Sequence, residues 1–335
     1  MRRPRQVDIA REANVSQASV SAVISGNTSV NLPESTRERI LQAAGRLGYV
    51  PNRAARSLRT QRTMSVGVII PDITNPFYPA FVRGVQDALD GEGYEAVTYN
   101  TDGLLEREQK SIDTLASGRA DGIIASPFRV PLSSWEAPLR HGMPVVLLGN
   151  VSRSGRTTAL DGVHVNQVDA ARAAGHYLIS KGHTRICMIA CDDGAGRERA
   201  QGFCHALRQA GLFGRDSTVS SQTFDEIGGY TAFKRVMERR TKPSAIFAAN
   251  DLLAMGALSA SHEMGLAVPG DVAIFGFDDI PAAALVHPSL STIAQHPRDM
   301  GRTAASLLLD RLTGKWVGEG RQIEMPYSLV ARKSA

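Results

Sequence analysis

Polar side chains that can bind or react stand just after several apolar runs. Asp278-Asp279 follows residues 272–277, and Asn250-Asp251 follows residues 245–249. Arg199 opens a helical segment, Arg199-Ala200-Gln201-Gly202-Phe203, while Phe224 and Asp225 lie in a loop before another helical pattern. Carboxylate, amide and guanidinium groups beside aromatic faces suit a neutral polyhydroxyl compound. The charged groups take hydroxyls in strong hydrogen bonds, and a ring covers the apolar face of a sugar. The bland alternatives stay open: Asp279 and Asn250 could cap the helices that follow them, and Phe77 could be packing alone.

Catalysis fits these residues less well. Asp278 and Asp279 are adjacent, so they point in different directions, and no nucleophile is paired with them. Gly194-Ala195-Gly196 follows a strand but lacks the third glycine of a dinucleotide fingerprint. His183, in Lys181-Gly182-His183, reads as a turn residue. The chain is expected not to be an enzyme, and nothing calls for a metal or cofactor.

A second chemistry sits at the N-terminus. Residues 1–62 hold 11 arginines, no lysine and 4 acidic residues, a net charge of +7; the whole chain is +5, which leaves −2 for the rest. A cationic head on a near-neutral body points to a polyanion, with double-stranded DNA the first candidate. Within it, residues 7–13 have helical apolar spacing, Asn14 suits a left-handed turn, and Ser16 can cap a second helix. In that helix Val20, Val23 and Ile24 should face inward; Gln17, Ala18, Ser21 and Ala22 should face out. A helix, a short turn and a helix with small polar residues at its exposed start is a helix-turn-helix pattern. Small residues let such a helix sit deep in the major groove, where the hydroxyls of Ser16, Ser19 and Ser21 can hold phosphates. An ordinary helical hairpin would share much of this pattern.

A third helix is expected over 33–47, with Pro33 in its first turn. Residues 52–58 make one or two further turns, too short to be stable alone. Such a segment, carrying Asn52, Ala55 and Leu58, could fold on DNA, with Leu58 as an apolar wedge in the minor groove. A plain linker is the alternative.

The elements that must position these residues follow from length and periodicity. The 335 residues suffice for a small head and two lobes, and 43% hydrophobic content can fill their cores. No run of 18 apolar residues suggests a membrane span, and no apolar signal region follows Met1. Cys187, Cys191 and Cys204 are an odd set without metal-like spacing, as expected of reduced, partly buried thiols in a cytoplasmic protein. After the head, strands are expected at 65–71, 94–99, 122–126 and 145–149, with helices at 77–91 and 104–117. A second series opens at 162–165 and continues through 185–190, 245–249 and 271–275. Alternating strands and helices imply parallel sheets covered by helices, open to ligands at the carboxyl ends of the strands.

Together these residues resemble the LacI/GalR family of bacterial transcription regulators. The resemblance rests on Asp8-Ile9-Ala10, Ala13-Asn14-Val15-Ser16, Thr36-Arg37-Glu38-Arg39-Ile40, Tyr49-Val50-Pro51-Asn52 and Ala55-Arg56-Ser57-Leu58. It extends through Asn75-Pro76-Phe77-Tyr78, Gly182-His183, Asn250-Asp251, Gly276-Phe277-Asp278-Asp279 and Met300-Gly301. It implies an α/β fold: an N-terminal helix-turn-helix head plus a two-lobed periplasmic-binding-protein-like body with parallel sheets. The head would span 1–50 and a hinge helix and linker 51–63. One lobe would comprise 64–162 plus 293–325, the other 163–292 plus 326–335. It implies a homodimeric cytoplasmic repressor on a pseudo-palindromic operator, with effector contacts at Asp72, Phe77, Tyr78, Asn150, Arg199, Phe224, Asn250 and Asp278. A carbohydrate effector is expected; a purine or other non-sugar co-repressor is the alternative. This chain departs from the family in having Gln6 where an apolar residue is usual and Ala22 where an arginine commonly reads guanine.

Overall fold

Apolar periodicity changes from helical to strand-like near residue 64, and the chain divides there into two units, Met1–Thr63 and Met64–Ala335. The computed structural model describes residues 4–25, 30–50, 57, 60–150, 160–192 and 194–335. The hinge positions Asn52, Ala55 and Leu58 lie outside the described residues.

The first unit contains helices α1 (Gln6–Glu12), α2 (Gln17–Ile24) and α3 (Glu34–Arg46). Asn14 takes the left-handed conformation, φ 50°, and turns the chain between α1 and α2. Ser16 caps α2 by accepting a 3.1 Å bond from the Ser19 amide. The three helices bury Ile9, Ala13, Val20, Ile40 and Ala43 in one small core.

The second unit is built on two parallel sheets. Its first half runs β1 (Ser65–Ile70), α4 (Phe77–Leu89), β2 (Glu95–Asn100), α5 (Leu105–Thr114), β3 (Gly122–Ala125), α6 (Glu136–Arg140), β4 (Val145–Leu148) and β5 (Asp161–Val165). Next come α7 (Gln167–Ser180), β6 (Ile186–Ala190), α8 (Gly194–Gln209), β7 (Thr218–Ser220), α9 (Glu226–Met237), β8 (Ala245–Ala248), α10 (Asp251–Glu263) and β9 (Ala273–Phe275). The chain closes with α11 (Pro281–Leu285), β10 (Thr292–Ala294), α12 (Pro297–Leu312), β11 (Gln322–Met325) and β12 (Ser328–Val330). One sheet has the order β11-β5-β4-β3-β1-β2 and the other β7-β6-β8-β9, while β10 and β12 form an antiparallel pair. Helix α12 packs on α4 and so returns to the first sheet.

One expected strand changes sheets. The run at 162–165, read as opening the second series, is β5, and it pairs with β4 and β11 in the first sheet. All its residues are buried, as a strand enclosed on both sides requires. The chain therefore stays with the first sheet through Val165, three residues beyond the expected boundary at 162. The three cysteines are buried rather than partly exposed and remain free thiols.

Candidate functional site

The carboxyl ends of the strands in both sheets open onto a cavity of about 470 Å³. Residues just past a strand end can face it because the chain has left the ladder and its side chains no longer face a packed layer. Phe77 and Tyr78 enter on the first turn of α4, Ser126 directly after β3, and Asn150 just beyond β4. From the second sheet come Arg199 on α8, Phe224 before α9, Asn250 after β8 and Asp278 after β9.

The centre of the cavity is a closed circuit. Arg199 Nε donates to Gln167 Oε1 at 2.7 Å, and Gln167 Nε2 donates to Gln295 Oε1 at 2.8 Å. Gln295 Nε2 then donates to Asp278 Oδ1 at 2.6 Å, and that oxygen lies 3.4 Å from Arg199 Nη2. Arg199 Nη1 also donates to the Ala249 carbonyl, and the guanidinium stacks 3.8 Å from the Phe277 ring centroid. Both charged residues are only 5% exposed. Burial pushes the Asp278 carboxyl up to about 6 against the opposing pull of Arg199, and it holds the Arg199 guanidinium below its usual range. Asp278 and Asp279 occupy positive φ, 117° and 55°, a backbone strain characteristic of ligand sites.

Neighbouring residues hold this circuit in place. Buried Asp251 accepts the Ile280 amide at 2.9 Å and the Thr292 hydroxyl at 2.6 Å, which pins the chain just after Asp278 and just before Gln295. Burial raises its carboxyl well above the usual range. Asn250 caps α10 by accepting the Leu253 amide at 2.8 Å, while its Nδ2 donates to the Phe224 carbonyl at 2.9 Å. Tyr78 packs edge-on to Phe77 with ring centroids 5.2 Å apart, and burial pushes its hydroxyl up to about 12.

Seven of the eight residues expected to contact an effector thus line one cavity. Asp72 does not. Its carboxylate accepts the Thr74 amide at 2.8 Å and the Thr74 hydroxyl at 2.7 Å, closing a local turn. Sequence reasoning missed Gln167 and Gln295. Both follow strands, the same signal that marked Asn250 and Asp278, but they sit where the chain passes between the sheets rather than within either series.

On the head, Ser16, Gln17 and Ala18 are exposed at the start of α2, and Ser19 and Ser21 are half-buried. Ala22 is corrected: expected to face out, it is only 7% exposed. A single methyl needs little cover, and at the end of α2 the Ser25 hydroxyl donates to the Ala22 carbonyl at 3.2 Å.

Comparison with known proteins adds independent information. Residues 7–52 match the lacI family of bacterial regulatory proteins, and residues 176–335 match the periplasmic binding protein-like domain. The chain is 33% identical over 331 residues to the ribose operon repressor of Escherichia coli (strain K12), covering 98% of both proteins. The transcriptional regulator CelR in its cellobiose complex superposes with a TM-score of 0.73 at 31% identity, covering 99% of this chain and 100% of that one. The lac repressor dimer bound to operator and the anti-inducer ONPF gives a TM-score of 0.86 at 25% identity, covering 99% of each chain.

Proposed function

This chain belongs to the lacI family of bacterial regulatory proteins and is a ligand-responsive, DNA-binding repressor, and we propose that its effector is a sugar or sugar derivative held in the cleft between the two sheets. The observation that carries this reading is the buried Arg199–Asp278 pair. The two charges neutralise each other, so the cleft has no excess charge here to demand an ionic ligand. Guanidinium N–H groups and a carboxylate together can donate to and accept from the hydroxyls of a neutral compound. Phe77 and Phe224 supply apolar faces for its ring. The cellobiose complex of CelR supports this class of ligand.

A purine is the second reading, favoured by the three rings Phe77, Tyr78 and Phe224. It needs amide groups to read a base edge, and Asn250 already gives its carbonyl to Leu253 and one of its two N–H groups to Phe224. That commitment favours the sugar.

The head acts as the DNA-binding part, in the cytoplasm, with α2 in the major groove of a pseudo-palindromic operator. Two copies of the chain place two such helices in successive grooves. The dimeric lac repressor on its operator supports that arrangement. Effector binding changes how the lobes close and thereby biases the head between DNA-bound and free states. The regulator has no catalytic role.

A thermal-shift screen of the full chain against sugars and nucleobases tests the ligand class. At about 100-fold excess over Kd, a true ligand stabilises by roughly 2.7 kcal/mol, a shift of several degrees. A sugar hit is expected; stabilisation by purines alone would overturn the carbohydrate reading.

A further inference from the structure

The cleft contains a ring that its chemistry above does not use. Phe128 follows β3 in the first lobe and reaches across to Phe224 in the second, with centroids 6.5 Å apart and planes at 80°. Two left-handed glycines flank it, Gly103 (φ +61°) from the first lobe and Gly194 (φ +47°) from the second. A methyl group on Gly103 would lie 3.0 Å from the Phe128 ring, and one on Gly194 3.6 Å from it. Phe128 therefore bridges the lobes, and the glycines on both sides make room for it.

Its position is set from below. Glu108 on α5 is 1% exposed although it stands in the charged run Glu106-Arg107-Glu108. Its Oε1 accepts the Phe128 amide at 2.7 Å, and its Oε2 accepts the amides of Arg129 and Val130 at 2.9 Å each. Three consecutive N–H groups on one buried carboxylate fix the backbone that carries the ring. A glutamine there would turn an NH₂ group toward at least one of those donors.

We propose that Phe128 sets the size of compound the cleft admits, closing its rim against Phe224, and that Glu108 is the positioning residue that holds the ring there. The proposal rests on the cleft being the effector site. A compound longer than the enclosed space must push the Phe128 ring aside and give up its contact with Phe224. Removing the ring opens that end of the cleft; loosening its backbone does so partially.

The test uses the full chain with Phe128→Ala, Phe128→Tyr and Glu108→Gln, titrated calorimetrically with glucose, cellobiose and cellotriose. Amide hydrogen exchange is followed over residues 128–130 and 223–228. Phe128→Ala is expected to shift the affinity ratio toward the longer sugars by about 2- to 10-fold, the scale of one lost aromatic pair. Phe128→Tyr should keep the wild-type ratio. Glu108→Gln should move it in the same direction and speed exchange at 128–130 by roughly tenfold or more. Phe128→Ala keeps the test decisive if Glu108→Gln fails to fold. An unchanged length preference in Phe128→Ala overturns the gate. If no sugar binds any of these proteins, the carbohydrate reading fails instead, and exchange decides the gate. Faster exchange at 223–228 in Phe128→Ala supports it, and unchanged exchange overturns it.

Discussion

Two buried aspartates in the second unit meet opposite fates. Asp161, at the start of β5, is fully buried and accepts Arg311 at 2.7 and 2.8 Å. It also accepts the Arg321 amide at 2.7 Å and the Arg321 guanidinium at 3.1 Å. Burial alone would raise its carboxyl, but the two arginines outweigh it and hold it below the usual carboxylate range. Asp278, equally enclosed, shares a single arginine with Gln167, Ala249 and the Phe277 ring, and it ends up raised. The first carboxylate is satisfied by the fold and ties β5 to α12 and β11. The second is left under-compensated, at strained backbone, facing a cavity. A charge that the protein does not fully satisfy is available to a ligand.

The sharpest way to break this contrast is to neutralise each residue. Asp161→Asn leaves two guanidinium groups without their shared anion and should cost about 3–5 kcal/mol in urea unfolding. It should leave ligand affinity of the folded protein unchanged. A loss under about 1 kcal/mol would mean the arginines find other partners. Asp278→Asn should not destabilise at neutral pH, because with a folded pKa of about 6 the protein carries that carboxylate ionised there at a cost of burial.

The same contrast predicts opposite pH dependences. The folded pKa of Asp278, about 6, lies above its ordinary 3.8. Its favourable contribution is therefore complete below 3.8 and is lost as pH rises through about 6. Relative to Asp278→Asn, the wild type should lose about 3 kcal/mol across that interval. Asp161 has the reverse sign: its contribution is present above the ordinary value and disappears as acid protonates the folded protein below it. Urea unfolding of wild type and both variants from about pH 2 to 7 checks both signs, Asp161 below the ordinary carboxylate value and Asp278 above it. A flat difference between wild type and Asp278→Asn would remove the basis of the contrast.

Ligand recognition should respond more modestly. Asp278→Asn in the cleft should weaken effector binding by about 1–3 kcal/mol, measured by calorimetry, since a hydroxyl loses a charged acceptor. Smallest of all, Tyr78→Phe removes one hydroxyl that bonds Ser126 and should cost about 1 kcal/mol of stability.

The sequence made much of this site readable because strand ends are marked twice, by the stop of an apolar run and by the polar residue after it. Arg199 stood out as a cationic residue within the helix that follows β6, whereas Asn250 and Asp278 carried both marks. Asp72 carried them too, yet its carboxylate is used by Thr74 two residues on. Proximity in sequence cannot separate a turn-closing aspartate from a ligand-facing one. Gln167 and Gln295 are 128 residues apart, and their hydrogen bond exists only because two chain crossings lie side by side. Glu108 stands in a helix rich in polar residues and carries no mark in the sequence; its amide partners lie in a loop twenty residues later. The 162–165 strand was visible as a strand, but its sheet is set by pairing with β4 and β11. Ala22 was misplaced because helical periodicity assigns a face, whereas a side chain of one methyl is buried by very little cover.

The most direct test of the account couples the cleft to the head. A duplex selected from random DNA by the full-length protein would be labelled and its binding followed by fluorescence anisotropy, with and without the sugar found by thermal shift. Wild type and Asp278→Ala should bind the duplex with equal affinity in the absence of sugar when the sugar is an inducer. Saturating sugar should change the wild-type affinity by about 5- to 150-fold, the usual scale of allosteric coupling, and at the same concentration should leave Asp278→Ala nearly unmoved. For a co-repressor, the sugar-dependent gain in DNA affinity would be the part that Asp278→Ala loses. An equal response to sugar in both proteins would contradict the claim that this cleft controls DNA binding.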